Sequence, residues 1–295
     1  MCGIFGGWNI DDANFAAFLG LHHLQHRGQE SVGIVTNDTQ FHVEKGEGIL
    51  SGGAITFEEL VNQTGNNVIG QNRYSTQGSS NITQSQPLVD TIYSHGEQVA
   101  IGHNGQLNGP FDFQSLETDS EQFIIEYHNS RASTLEERVF DMLAAVSTKG
   151  TYAISMLVHH PKEGNALVVA KDPHGVRPLC MAQTDNDGYI FASETCALDA
   201  VDMCLYPLHS ERELDPGEVI IISDKNGFQQ YRRDELPEAI RPKTHLPCFF
   251  EDIYFARPDS RFYGVEVAEI RENIGRALAR EHPADADYVI PTPDS

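Results

Sequence analysis

Short apolar runs separated by turn residues dominate the first two-thirds of the chain, and few helical patterns interrupt them. The runs at 3–8 (GIFGGW), 31–37 (SVGIVTN), 41–46 (FHVEKG), 66–74 (NNVIGQNRY) and 99–107 (VAIGHNGQL) have strand length and strand composition. So do those at 152–160 (YAISMLVHH), 166–172 (ALVVAKD), 189–194 (YIFASE) and 218–223 (EVIIIS). Helices are predicted over 14–25, over 120–128 with Ser120 as N-cap, and over 134–147, where Thr134 and Glu137 have capping-box spacing. Many strands, few helices and no regular strand–helix alternation predict an α+β chain whose sheets lie between helix layers. A doubly wound sheet does not fit that order.

The chain has 295 residues, a length that at roughly 150 residues per domain suggests two domains. Near 233–247 the composition turns polar and proline-rich, which reads as a linker. Beyond it come CFFEDIYFARPDS, a helix over 265–281 and a strand-like DYVIPT at 287–292. Such a unit is too short for a domain of its own, so the expectation is a first domain over 1–240 and the cut beginning of a second over 246–295.

Forty-three Asp and Glu against 20 Lys and Arg give a net charge of −23. A surface this acidic repels nucleic acid and anionic membranes, and fits a protein acting on small molecules. No apolar stretch of about 18 residues is present, which argues against a transmembrane span. The N-terminal segment lacks the basic and apolar regions of a signal peptide. Cysteines at 2, 180, 196, 204 and 248 are scattered and odd in number, with no CxxC pair. They indicate neither a disulfide framework nor a zinc site, and with no signal peptide the expected compartment is the reducing cytoplasm.

Chemistry is suggested first by Cys2. Removal of Met1 would leave a thiol beside a free α-amino group, whose reference pKa of about 7.7–8.0 suits a general base at neutral pH. Taken alone, Met-Cys fits a plain thiol as well. Arg73 and Thr76 lie at the end of a predicted strand, where a guanidinium fork and a hydroxyl can hold a carboxylate; a surface arginine is the simpler reading. Asn104 and Gly105 follow an apolar run, and a side-chain amide beside a glycine N–H can form an oxyanion hole or merely a turn. Asp119 opens a predicted helix and fits either an ammonium acceptor or a cap.

Taken together, the segments MCGIFG (1–6), LQHRGQESVGI (24–34), RYSTQGSS (73–80), GHNGQL (102–107), TDSE (118–121) and GTYAISML (150–157) form an ordered series. KDPHGVRPL (171–179), ASETCALD (192–199) and CFFEDIYFARPDS (248–260) continue it. The series closely resembles class II glutamine amidotransferases, which are N-terminal-nucleophile hydrolases, and among them the amidophosphoribosyltransferase family. That resemblance implies a four-layer αββα sandwich followed by the start of a phosphoribosyltransferase-type α/β domain. It implies Cys2 as the nucleophile, Asn104 and Gly105 as the oxyanion hole, and Arg73, Thr76, Gly105 and Asp119 as the glutamine site. Arg27 and Gly28 would form the loop near the nucleophile, with Tyr74 coupling two active sites.

The family's reaction delivers ammonia from glutamine to phosphoribosyl pyrophosphate, giving phosphoribosylamine for purine synthesis in a homo-oligomeric pentosyltransferase. The phosphoribosyl pyrophosphate site and its magnesium would lie outside these residues, and no metal site is expected within them. Some members carry an iron–sulfur cluster, for which Cys248 stays unassigned. Two other readings are a glucosamine-6-phosphate synthase, which typically has Thr-His-Gly where this chain has Thr76-Gln77-Gly78, and a non-catalytic module retaining the fold. His22, His23 and His26 have metal-like spacing, but no carboxylate accompanies them at helical spacing, so they read as a helix face.

Intact-mass measurement of the purified protein should show Met1 removed and Cys2 as the first residue. Full retention of Met1 would contradict an N-terminal nucleophile.

Overall fold

The computed structural model describes residues 1–74, 82–90, 96–109 and 118–290. In chain order the first elements are β1 (Gly3–Trp8), α1 (Ala13–His23), β2 (Ser31–Asn37), β3 (Phe41–Glu47) and α2 (Phe57–Val61). Next come β4 (Asn67–Arg73), β5 (Leu88–Asp90), β6 (Gln98–Leu107), α3 (Glu121–Asn129) and α4 (Leu135–Val146). They are followed by β7 (Gly150–His160), β8 (Gly164–Lys171), β9 (Cys180–Thr184), β10 (Tyr189–Ala192) and α5 (Thr195–Cys204). β11 (Leu208–Glu213), β12 (Val219–Ser223), β13 (Gly227–Tyr231), β14 (Arg261–Phe262), β15 (Val265–Glu266) and α6 (Val267–Glu281) complete the series.

Two antiparallel sheets carry the structure. One runs β11-β9-β10-β1-β4-β2-β3, the other β13-β12-β8-β7-β6-β5. Every residue of β1, β2 and β4 is buried, because each has a helix layer over one face and the second sheet over the other. The interior therefore divides into three apolar zones. Phe5, Leu21, Val32, Ala197 and their neighbours join α1 and α5 to the first sheet. Trp8, Ile69, Leu157, Val169 and Phe191 fill the space between the sheets. Phe123, Val139, Leu143 and Ile154 join α3 and α4 to the second sheet. The result is the expected four-layer αββα sandwich.

The capping prediction for α4 holds in part. Thr134 Oγ1 accepts from the Glu137 N–H at 3.3 Å, but the Glu137 carboxylate takes the Thr134 hydroxyl at 3.0 Å. The full reciprocal box forms instead at α2, between Thr56 and Glu59. Ser120 stands at the N-cap of α3 without capping it. Its hydroxyl is engaged with His103 and Gln86.

The 233–247 stretch is no free tether, since Leu236 and Ile240 bury themselves in the apolar zone under α4. Residues 248–262 follow the surface of the first sheet's helix layer and return to it: Arg261 pairs with Asp199 of α5 and Glu211 of β11 at 2.8 and 2.9 Å. Helix α6 forms as its spacing predicts. The strand expected at 287–292 does not form over its described part, where Tyr288, Val289 and Ile290 are exposed and unpaired with any described strand. A strand has no stability without a neighbour to complete its hydrogen bonds.

Phe191→Ala should destabilise the protein by about 3–5 kcal/mol, because its ring fills the space between the sheets. Met203→Ala on the exposed face of α5 should change stability by no more than about 0.5 kcal/mol. Denaturant unfolding of the two variants checks the contrast.

Candidate active site

Cys2 precedes β1, the central strand of the first sheet, and that strand's pairing with β4 brings Gly3 opposite Asn72. The adjacent β4 residue, Arg73, therefore comes close to the chain's start. From the second sheet, β6 presents Asn104. Its Oδ1 accepts from the Cys2 N–H at 3.1 Å. Asn104 is wholly buried, and its Nδ2 finds no partner. A buried amide N–H₂ without an acceptor is costly in a folded interior unless a ligand supplies one. Here the unpaired donor belongs to the same side chain that fixes Cys2.

The strand carrying Asn104 is pinned across the sheets. The Gln71 side chain of β4 accepts from the His103 N–H at 2.7 Å and donates to the His103 carbonyl at 3.0 Å. Gln86 Oε1 takes the same N–H at 2.8 Å, and Gln86 Nε2 donates to Ser120 Oγ at 2.9 Å. His103 Nδ1 meets Ser120 Oγ at 2.9 Å. Burial lowers the His103 pKa, with Asp119 opposing. Gly105 follows in β6 and admits no side chain. A Cβ there would stand 2.0 Å from the Thr151 carbonyl oxygen and 2.6 Å from His103 Nε2.

Asp119 is not a helix cap. Its Oδ2 accepts from the Leu107 N–H at 2.8 Å, which holds the carboxylate two residues from Gly105 on the β6 edge. Arg73 closes β4 with its side chain buried, and its Nη2 donates to Gln84 Oε1 at 3.1 Å. Thr76 lies outside the described residues. Tyr74 is half exposed, and its carbonyl oxygen is 3.8 Å from Cys2 Sγ. Asn104 and Tyr74 thus touch Cys2, Gly105 is next to Asn104 in β6, Asp119 lies against Leu107 of that strand, and Arg73 ends the strand paired with β1.

Arg27 and Gly28 lie in the turn after α1, and both are fixed by contact. A Cβ on Gly28 would meet the Arg73 carbonyl carbon at 2.5 Å, so only glycine lets the turn lie against β4. Arg27 is wholly buried, and its Nε donates to the Cys2 carbonyl oxygen at 3.0 Å. The guanidinium pairs with two carboxylates. Nη1 pairs with Glu194, while Nη1 and Nη2 reach Glu251 Oε2 and Oε1 at 3.0 and 2.7 Å. Burial alone would raise the Glu194 pKa, but Arg27 and His26 hold it well below the usual carboxylate range. His26 Nε2 approaches Glu194 Oε1 at 2.7 Å and His23 Nδ1 approaches Arg257 at 3.3 Å. His23 and His26 therefore serve an ion-pair network.

The residues not singled out from sequence are Gln71, Gln86, Glu194 and Glu251. Both glutamates do stand inside motifs of the ordered series, Glu194 in ASETCALD and Glu251 in CFFEDIYF.

A cleft of about 940 Å³ opens beside Cys2, lined by His26, Tyr74, Arg177, Cys248, Tyr254 and Phe255 among others. The Met1 side chain lies in it against Arg177, whose Nη1 is 2.6 Å from the Met1 sulfur. Asp172 builds the turn that presents Arg177, accepting from the His174 and Val176 N–H groups at 2.9 and 3.1 Å. Burial lowers the pKa of the terminal amine; Arg27 and Arg177 add to that, while Cys2 and Glu251 oppose it. Among the described residues no group of three or more His, Cys, Asp or Glu side chains could hold a metal ion. No described helix is long and apolar enough to cross a membrane.

Known proteins resemble this chain in sequence and in fold. Residues 71–200 match the glutamine amidotransferase domain family, the stretch that holds Arg73, Asn104, Gly105, Asp119 and Glu194. The chain carries a glutamine amidotransferase domain. Along its whole length it is 34% identical to the amidophosphoribosyltransferases of Bacillus subtilis and Archaeoglobus fulgidus, covering 60% and 63% of them. A solved structure described as the allosteric regulatory enzyme of purine biosynthesis superposes with a TM-score of 0.85 at 34% identity, over all of this chain and 61% of that one. The glutamine phosphoribosylpyrophosphate amidotransferase of B. subtilis, complexed with ADP and GMP, gives 0.81 at 33% identity over 97% of this chain and 60% of that one. The amidotransferase domain thus has the N-terminal-nucleophile hydrolase fold, in a chain that spans about three-fifths of the relatives it matches.

The low Glu194 pKa sets a pH dependence. A carboxylate whose folded pKa is depressed stabilises the fold above its unfolded value, roughly 4.3, and loses that contribution as pH falls below it. Acid unfolding of the wild type should therefore steepen below about pH 4.3. Glu194→Gln should be less stable at neutral pH and show a shallower acid slope. Parallel acid curves for the two proteins would contradict the ion pair.

Proposed function

We propose that the amidotransferase domain hydrolyses glutamine with Cys2 as nucleophile once Met1 has been removed. The observation that carries this is the Asn104 side chain, which holds the Cys2 nitrogen with its oxygen and leaves a buried, unpartnered Nδ2 beside it. In the translated chain that nitrogen is a peptide N–H, standing in for the free α-amine of the processed protein. The amine would take the thiol proton as Sγ attacks the glutamine side-chain amide carbon. The developing oxyanion would accept from Asn104 Nδ2 and the Gly105 N–H, donors fixed before the reaction begins. The same proton, returned to the leaving nitrogen, releases ammonia and leaves a glutamyl thioester, which water then hydrolyses.

Arg73 and Thr76 would bind the glutamine α-carboxylate, with Asp119 and Gly105 holding its α-ammonium. Recognition of both charged ends selects free glutamine over glutamine within a peptide. We assign this domain to residues 1–240, with residues 246–295 beginning a phosphoribosyltransferase domain. In the whole protein the ammonia would displace pyrophosphate from phosphoribosyl pyrophosphate to give phosphoribosylamine, in the cytoplasm and within a homo-oligomer. Tyr74, beside both Cys2 and the cleft, would couple the two reactions. The described residues do not fit a magnesium site, so none is assigned to that ion.

Cys2→Ala should abolish glutamine hydrolysis, and Asn104→Ala should lower kcat by about 100- to 1000-fold. Ammonia release measured with each purified variant checks both. Wild-type turnover in Cys2→Ala would reject the reading.

A further inference from the structure

Once Met1 is gone, Cys2 is a chain terminus, and terminal residues fray unless hydrogen bonds tie them down. The structure provides two such ties. Asn104 holds the nitrogen, and Arg27 Nε holds the carbonyl oxygen at 3.0 Å. Both the thiol and the α-nitrogen branch from the single Cα between these anchors, so a turn of the carbonyl moves nucleophile and base together relative to Asn104.

The direction of Arg27 Nε depends on what grips the rest of the guanidinium. Glu251 takes Nη1 and Nη2 as a two-pronged pair, which fixes the plane of the group. Glu194 takes Nη1 from the other side. The Phe255 ring covers the cation at 4.9 Å. Glu194 is itself held: its Oε2 accepts from the Ser260 hydroxyl at 2.7 Å and the Arg257 N–H at 2.9 Å. Glu251 and Phe255 begin and end one π-helical turn, Glu251–Phe255, beside the cleft. The partners of Arg27 therefore come from the chain start, the β10–α5 junction and the 248–260 segment.

We propose that Glu251 and Glu194 are positioning residues for the amidotransferase reaction, clamping Arg27 so that it orients Cys2. The segment 248–260 thereby completes the seat of a nucleophile that lies some 250 residues earlier in the chain. This inference rests on the reading of Cys2 as the nucleophile. Neither glutamate hydrogen-bonds the Cys2 sulfur or the Asn104 amide; the hydrogen-bonded link from each to Cys2 runs through the guanidinium.

The test compares three variants of the native protein in glutamine hydrolysis. Glu251→Gln removes the charge of the clamp, Glu251→Asp shortens it, and Glu211→Gln weakens only the surface ion pair by which Arg261 tethers the same segment. A displacement of the reacting group by about 1 Å costs on the order of 100-fold in rate. Glu251→Gln should therefore lose about 10- to 100-fold in kcat with KM changed less than about twofold. Glu251→Asp should fall between it and the wild type. Alkylation of Cys2 by iodoacetamide should slow in the same order. Glu211→Gln should keep wild-type kcat even where its melting temperature drops.

Wild-type kcat in folded Glu251→Gln, or an equal loss in Glu211→Gln, would overturn the proposal. If Glu251→Gln does not fold, folded Glu251→Asp decides, and an unchanged kcat there overturns it. Should Cys2→Ala remain active, the reading of the nucleophile fails instead, so the two failures are distinguishable.

Discussion

A guanidinium with no solvent exposure can exist in this interior only because two carboxylates meet it. Arg27 lies between Glu194 and Glu251, and loss of either partner would strand charge in a medium that cannot solvate it. Much of the molecule's geometry follows from satisfying this group. The turn after α1 must lie against β4, which is why Gly28 cannot carry a side chain. The 248–260 segment must return to the helix layer over the first sheet, and Glu194 holds it there through Ser260 and Arg257. Nε, which neither carboxylate takes, points at Cys2.

The sandwich serves the site through an unusual use of its inter-sheet space. Most of that space is apolar, filled by residues such as Leu157 and Phe191. At one end, polar side chains replace them: Gln71 bridges both backbone groups of His103, and Gln86 and Ser120 complete the set. Buried polar groups are tolerated when each is paired, and the pairing here sets the register of β6 against β4. Asn104 is thereby brought to the start of β1 from the opposite sheet. Asn104 Nδ2, like His103 Nε2, departs from that rule of full pairing, and it belongs to the side chain that holds Cys2.

Legibility in the sequence followed local self-sufficiency. Strands such as β2, β7 and β8 carry β-branched apolar residues whose burial needs no particular partner to be foreseen. β9 (CMAQT) and β13 (GFQQY) are short or polar, so their composition carries little strand signal even though each forms a hairpin with the strand next to it in the chain. Helix α5 opens at Glu194, a carboxylate engaged elsewhere rather than capping, so it lacks a local start signal. The apolar DYVI stretch has strand composition yet no described partner, and it stays exposed. At the site, Cys2, Asn104, Gly105 and Arg73 lie within compact motifs. The partners of Arg27 lie 167 and 224 residues away from it, a pairing that no local pattern encodes.

The central claim is that Cys2 forms a covalent bond to the γ-carbonyl of glutamine. Acid quenching of the processed protein during glutamine turnover, followed by peptide mass spectrometry, tests it most directly. A γ-glutamyl adduct is expected on the N-terminal peptide beginning with Cys2, abolished by prior alkylation of that thiol. An adduct on another cysteine, such as the cleft-lining Cys248, or turnover with no adduct on Cys2 at any quench time, would contradict it.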